Sequence, residues 1–313
     1  MRKTIYSIGF LVIESVFSVG LFTSCGDQFQ EEYPWLIGKQ EEMDNSNEEG
    51  AGATDITVLE KELKGAIPFM INYSHEPTGT WAPHKYQYYR ANSIDNYAGY
   101  WTTTKSTFAF GGPLPTLYTF PNDYLGGPMD NQIFTQSYNA IHHATELGKP
   151  EWRAVALIIQ AYQGHEIVDF YGAAPFSDWR NLKRTPPLTY EKGKDIYNLI
   201  FDDLDEAIRI LKERQPSREE FAKIEDLTIK TLSNGDWRMW VKFANCIKMR
   251  MAMNMVKINP GTAQSKFEQA VTDEIGVLTD TDAKDIAYYQ EQNACALWRI
   301  GNEWHDIRLG ASF

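Results

Sequence analysis

The chain predicts an all-α fold, a tetratricopeptide-like scaffold of paired helices with long aromatic loops between them. Three observations predict it. Beyond residue 55, apolar residues recur at three- and four-residue spacing through most of the length. Runs of alternating apolar and polar residues, the mark of half-buried strands, do not occur in number. Long helical runs also follow one another about 40 to 45 residues apart, as in stacked helix pairs.

Each element has its own signal. Helices are expected over 56–71 and, with Tyr and Asn diluting the propensity, over 84–101. A third runs from Asp130 to Leu147 and stops at Gly148 and Pro150. Pro150 then opens the next, where its missing N–H is not needed. In that run Ala154, Leu157, Ile158, Ala161, His165 and Val168 share one face, and Gly172 and Pro175 end it. Thr189 to Arg214 is the clearest amphipathic helix. Ile196, Leu199, Ile200, Leu204, Ala207, Ile208 and Leu211 form its apolar stripe, with Asp202, Asp203, Asp205, Glu206 and Arg209 expected on the wet side. Ser217-Arg218-Glu219-Glu220 is a capping box that restarts a short helix. Asp236 to Val256 turns Trp240, Ala244, Ile247, Met251 and Met255 inward, and Pro260 opens a last helix through Ile275. Gly111-Gly112-Pro113-Leu114-Pro115 and the stretch from Pro121 to Pro128 cannot continue a helix and read as loops.

The first 55 residues belong to a different regime. Arg2 and Lys3 precede an apolar run that begins near Ile5 and ends in Leu21-Phe22-Thr23-Ser24-Cys25. A basic start, a short apolar core and small residues before a cut site read as an export signal. Cysteine at the cut, followed by Gly26, resembles a bacterial lipobox. That resemblance implies cleavage before Cys25 and lipid on its thiol and new amino terminus. Between Asp27 and Asp55 the carboxylates are Asp27, Glu31, Glu32, Glu41, Glu42, Asp44, Glu48, Glu49 and Asp55, against a single Lys39. Such a segment buries too little apolar area to order itself. The organisation expected is therefore a signal peptide over 1–24, a lipidated acidic tether over 25–55 and one helical domain over 56–313.

Composition excludes some functions. The formal net charge of -12 repels nucleic acid phosphates, so no nucleic acid partner is expected. The unusual abundance is aromatic, with 9 Trp, 17 Tyr and 16 Phe, and Trp and Tyr faces stack on flat apolar surfaces, sugars included. Besides Cys25 there are Cys246 and Cys295, in no zinc or redox spacing. Export permits a disulfide between them, and a buried thiol suits the apolar neighbours of Cys246. His165-Glu166-Ile167-Val168-Asp169 begins like a zincin helix, but Asp169 stands where the second His belongs, so no metal site is expected. His142 and His143 are adjacent and point about 100 degrees apart on a helix, so they do not chelate together. No Gly-rich phosphate loop or nucleophile elbow occurs, and no cofactor is expected.

Four segments in order carry a family resemblance. Asp95-Asn96-Tyr97-Ala98-Gly99-Tyr100 is similar to an early motif of SusD/RagB-like outer-membrane nutrient-binding lipoproteins, in their second SusD-like subgroup. The run from Trp152-Arg153-Ala154 to Glu166-Ile167-Val168-Asp169-Phe170-Tyr171-Gly172-Ala173-Ala174-Pro175-Phe176-Ser177-Asp178 resembles the family helix that ends in D-x-Y-G-D-I-P-Y-S. Asp203-Leu204-Asp205-Glu206-Ala207-Ile208 resembles the helix that follows. Trp240 to Ala252 resembles W-x-K-x-A-N-S-L-R-x-R-L-A. The resemblance implies an α-helical scaffold lipid-anchored to a Bacteroidetes outer membrane and exposed on the cell surface. It implies a SusC-like TonB-dependent barrel as partner, capture of oligosaccharides or, in some members, peptides, and no catalysis by the lipoprotein. Trp304-His305-Asp306-Ile307-Arg308-Leu309-Gly310 resembles a motif that in the family precedes a further large segment, so the chain is expected to be a C-terminally truncated member. Such a chain, if unable to work alone, is a nonfunctional product. The faces of 236–256 and 261–275 would then expose apolar surface.

A pyranose has an apolar face and a rim of hydroxyls, so aromatic rings flanked by Asn, Asp and Arg bind it. The segment from Trp81 to Tyr124 is richest in them. Trp81, Asn92, Asp95, Trp101, Tyr118 and Asp123 are the expected ligand contacts.

Overall fold

The computed structural model describes residues 55–66, 87, 95–104, 132–183, 185–227, 235–283 and 299–310. The chain divides into two units. One takes residues 1–52 and 183–188; within it, the peptide bond between Pro186 and Pro187 is cis. The other takes residues 53–182 and 189–313 and holds every element below.

Helix α1 runs over Ile56–Ala66. Asp55 caps it, its Oδ1 accepting the N–H of Thr57 at 2.7 Å and of Val58 at 3.1 Å. The expected continuation over 67–71 lies outside the described residues. The helix expected over 84–101 is not formed at its end. There the chain makes one turn, α2 (Asp95–Tyr97), and Gly99 with φ 80° reverses it into strand β1 (Trp101–Thr103). A left-handed residue stops a helix, and glycine adopts it without a Cβ clash.

Helix α3 spans Gln132–Glu146 and α4 spans Pro150–Tyr171, separated by a turn whose Gly148 has φ 61°. Pro150 sits in the first turn of α4 and Gly172, φ 73°, closes it. The sequence points to one buried face on α4. The structure buries nearly every residue from Trp152 to Val168, because α3 packs on one side and α6 on another. A helix enclosed on all sides shows no amphipathic stripe. Beyond the stop at Gly172 and Pro175, Phe176–Arg180 forms a short α5.

Helix α6 begins at Gly193, four residues later than its pattern suggests, and ends at Arg214. Thr189 to Lys192 stay extended, with Glu191 bridging backbone to backbone with Ala174, and Ser177 donating to the Glu191 carboxylate from its N–H (2.6 Å) and hydroxyl (2.8 Å). A Cβ on Gly193 would lie 2.8 Å from the carbonyl oxygen of Gly172, so the two chains can meet here only through glycine. The apolar stripe of α6 is buried as expected, except that Leu199 is half-buried. The carboxylates opposite are not simply wet. Asp203 pairs with Arg180 at 2.8 Å, Glu206 with Arg153 at 2.8 Å, and Asp205 with Lys248 and Lys266. Each pair joins α6 to a neighbouring element.

Helix α7 (Arg218–Leu227) starts on the expected capping box: the Glu220 N–H donates to Ser217 Oγ at 3.3 Å and the Ser217 N–H to Glu220 Oε2 at 3.0 Å. Helix α8 (Trp237–Met255) is capped by Asp236 and buries Trp240, Ala244, Ile247, Met251 and Met255. Helix α9 (Pro260–Val271) is capped by Asn259 and stops short of Ile275, where Gly276 takes φ 80°. The Asp273 carboxylate accepts the Ile275 N–H at 2.9 Å and holds that turn. A short α10 (Asp280–Ala283), a π-helical turn (Arg299–Glu303) and strand β2 (Ile307–Leu309) complete the described chain.

The long helices pack as a serial array: α1 on α3, α3 on α4, α4 on α6, α6 on α8 and α8 on α9. Each helix thus covers the stripe of its neighbour, the helical-repeat arrangement that the sequence predicts. Antiparallel β1 and β2 pair Trp101 with Leu309, Thr102 with Arg308 and Thr103 with Ile307. A Cβ on Gly310 would fall 2.1 Å from the Gly99 carbonyl oxygen. Gly310→Ala is therefore expected to separate the two strands, read as faster amide exchange at Gly310, whose N–H donates to the Tyr100 carbonyl at 2.9 Å. Among the described residues no helix is long and apolar enough to cross a membrane.

Candidate functional site

Of the predicted ligand contacts, the structure describes Asp95 and Trp101; Cys25, Trp81, Asn92, Tyr118 and Asp123 lie outside the described residues. Asp95 opens α2, and its backbone carbonyl accepts the Tyr100 N–H at 2.9 Å. Trp101 is half-buried and packs with Trp304 on Ile300 and Ile307. Asn96 Nδ2 donates to the Trp101 carbonyl at 3.1 Å, which ties α2 to β1. Gln87, buried, donates from Nε2 to Asp306 Oδ2, and Thr104 donates from its hydroxyl to the His305 carbonyl. Two segments two hundred residues apart, both carrying matched motifs, therefore close on one another around Trp101.

A second feature was not singled out by sequence as a site. A cleft of about 880 Å³ opens where the C-terminal ends of α4 and α8 meet the start of α6. Glu166 and Asp169 come from α4, Lys194 and Tyr197 from α6, and Arg250 and Asn254 from α8. The Tyr197 hydroxyl donates to Asp169 Oδ1, and Asn254 Nδ2 donates to the same oxygen at 3.0 Å. Arg250 stands 3.9 Å from the buried Glu166 carboxylate. Burial, with the Asp169 carboxylate beside it, pushes the Tyr197 phenol well above its ordinary range, so it stays protonated and donates. Glu166, Asp169 and Arg250 all fall in the matched motifs, the one signal that pointed here.

Next to Glu166 on α4, His165 is fully buried. Its Nδ1 lies 2.6 Å from the Tyr162 carbonyl, so Nδ1 carries the proton, and Nε2 meets no hydrogen-bond partner among the described residues. Burial, helped by Arg250, lowers its pKa from the usual 6.5, outweighing the pull of Glu166 and Asp169. The unfolded chain takes up a proton near pH 6.5 that the folded state refuses. Stability from this group is thus full above that pH and falls as the pH drops through it. His165→Gln is expected to lose less of its melting temperature than the parent between pH 7.5 and 5.5. Glu62 and Asp203, raised by burial, act in the opposite sense but equally in both proteins, so the difference isolates His165.

Among the described residues no three His, Cys, Asp or Glu side chains gather as a metal site. Cys246 is a free thiol, half-buried rather than enclosed, and burial raises its pKa.

Comparison with known proteins adds to this geometry. A SusD homologue from Bacteroides thetaiotaomicron is 26% identical with a TM-score of 0.64, over 81% of this chain and 48% of that one. A chitin-binding SusD homologue from Flavobacterium johnsoniae is 23% identical, TM-score 0.61, over 80% and 50%. A SusD homologue from Bacteroides uniformis is 22% identical, TM-score 0.66, over 82% and 51%. The chain thus spans about half the length of these solved structures. No curated protein sequence matches it. The family model described as SusD and RagB outer-membrane lipoprotein matches residues 44–313. The serial helices and the motifs at 95–100, 152–178, 203–208 and 240–252 fall inside that match, and the chain belongs to the SusD-like family of outer-membrane lipoproteins.

Proposed function

We propose that this chain is a nutrient-binding lipoprotein of the cell surface, anchored through Cys25. It captures oligosaccharides and hands them to a SusC-like TonB-dependent barrel in the outer membrane, with no catalytic step of its own. The observation that carries the proposal is the family match over residues 44–313. The lipobox and the aromatic segment from Trp81 to Tyr124 support it, and the chitin-binding relative favours a saccharide. Trp81, Asn92, Asp95, Trp101, Tyr118 and Asp123 supply stacking faces and hydroxyl partners. Because the family also includes RagB, a peptide ligand is the second possibility.

The test is a thermal melt of residues 26–313, alone and with separate pools of plant glycans, host glycans and peptides. A ligand that binds only the folded state adds about 2.7 kcal/mol at a hundredfold excess over Kd. A rise with a glycan pool alone is expected. A rise with peptides alone selects the RagB-like alternative. Affinity purification of the tagged full-length chain from its own outer membrane should bring down the barrel; its absence, with the chain facing the periplasm, removes the transport role.

A further inference from the structure

We infer that the cleft at the ends of α4, α6 and α8 is a binding subsite for a short neutral oligosaccharide. Among the described residues that line it, none belongs to the aromatic segment at 81–124. The inference rests on the saccharide function proposed above and gives it a second place of contact.

Four features point there. The first is size: about 880 Å³ falls within the roughly 300–1,000 Å³ of ordinary small-molecule sites. The second is charge. The described lining carries two carboxylates, Glu166 and Asp169, and two cations, Arg250 and Lys194, so it brings no net charge to attract an ionic ligand. Desolvating a charge without a dedicated counter-ion is unfavourable, whereas hydroxyl groups need only hydrogen bonds.

The third is the pattern of open hydrogen-bonding groups. Tyr197 and Asn254 both donate to Asp169 Oδ1 and fix that carboxylate. Among the described residues its other oxygen, Oδ2, has no partner, and neither do the Asn254 amide oxygen and the Lys194 ammonium. Two acceptors and a donor around one opening match hydroxyls, each of which donates and accepts. The fourth is an apolar wall beside them. Val168, Phe170, Met255 and Ile258 line the same cleft, and Ile258 is 83% exposed. Such a wall suits the C–H face of a pyranose ring. An exposed isoleucine beside fixed polar groups is what a ligand with one apolar face and one hydroxyl rim would cover.

The test is saturation-transfer NMR and titration of the full-length chain with maltotriose, xylotriose, triacetylchitotriose and, separately, trialanine. The proteins are the parent, Asn254→Ala and Ile258→Arg. Both positions are exposed, so the substitutions spare the core, and a cooperative melt checks each; either variant suffices if the other fails to fold. The expected result is transfer to the ring protons of at least one trisaccharide, with Kd raised about five- to tenfold in each variant, the loss of one hydrogen bond or of the apolar wall. Trisaccharide binding that neither variant alters overturns the subsite and leaves the nutrient-binding proposal standing. Binding of trialanine but of no trisaccharide overturns the saccharide class, and absence of any binding overturns both.

Discussion

Trp240→Ala is expected to lower the stability of the helical array by about 3–5 kcal/mol, the range for removing a buried aromatic. Trp240 is fully enclosed and is the largest such side chain among the described residues. It lies on α8, which packs against α9, α6 and α4, so a cavity there loosens three contacts together. Its ring meets Phe243 edge-on, with centroids 6.3 Å apart and planes at 85°, and Phe243 in turn lies 5.8 Å from Tyr162 of α4. Such edge contacts contribute beyond the buried area. The indole N–H has no hydrogen-bond partner among the described residues, so the loss is one of packing. Trp240→Phe retains the edge contact and should lose less. Urea unfolding followed by circular dichroism measures both. A loss below about 1 kcal/mol in Trp240→Ala would mean that α8 is not part of the cooperative core. Against a total stability of about 5–15 kcal/mol, the expected loss decides whether the protein is folded in the cell.

The helices were legible because their signals are local. Pro150, the Ser217–Glu220 box, the stripe of α6 and the inward face of α8 each follow from a few adjacent residues, and the structure forms them there. What failed depended on neighbours. The one-sided burial read for α4 gave way because helices pack around it, which periodicity within one helix cannot show. The wet side of α6 holds at Asp202 and Arg209, while Asp203, Asp205 and Glu206 are only half-exposed because Arg153, Arg180, Lys248 and Lys266 arrive from other elements to pair with them. The 84–101 helix failed at Gly99, where pairing of Trp101–Thr103 with Ile307–Leu309, about two hundred residues on, decides the backbone. The cleft followed the same rule. Asp169, Tyr197 and Asn254 lie far apart in sequence, and only the meeting of three helix ends makes them one site.

Asp205→Ala is expected to cost about 3–5 kcal/mol, and Lys248→Met far less, although the two residues form one ion pair. The asymmetry follows from where the charges sit. The Lys248 side chain on α8 is 2% exposed, while that of Asp205 on α6 is 31% exposed. Asp205 Oδ1 holds Lys248, and Oδ2 takes Lys266 of α9 at 2.9 Å, so one carboxylate joins three helices. Removing it strands an ammonium in the interior with no water to receive it. Lys266 suffers less, since it is partly exposed and lies 5.1 Å from the Phe201 ring. Removing Lys248 as methionine instead leaves Asp205 with Lys266 and solvent, and fills the space with an apolar chain of similar length. The double variant should therefore be more stable than Asp205→Ala alone, because the second change removes the stranded charge. Urea midpoints of the four proteins complete the cycle. Equal and small losses in both single variants would mean that water reaches Lys248. The expected pattern also predicts less sensitivity to salt than a fully exposed pair shows, because the Lys248 end is buried. By contrast, the i,i+4 pair of Arg209 and Glu213 on the exposed side of α6, 2.7 Å apart, should contribute only a few tenths of a kcal/mol and should weaken as salt is raised.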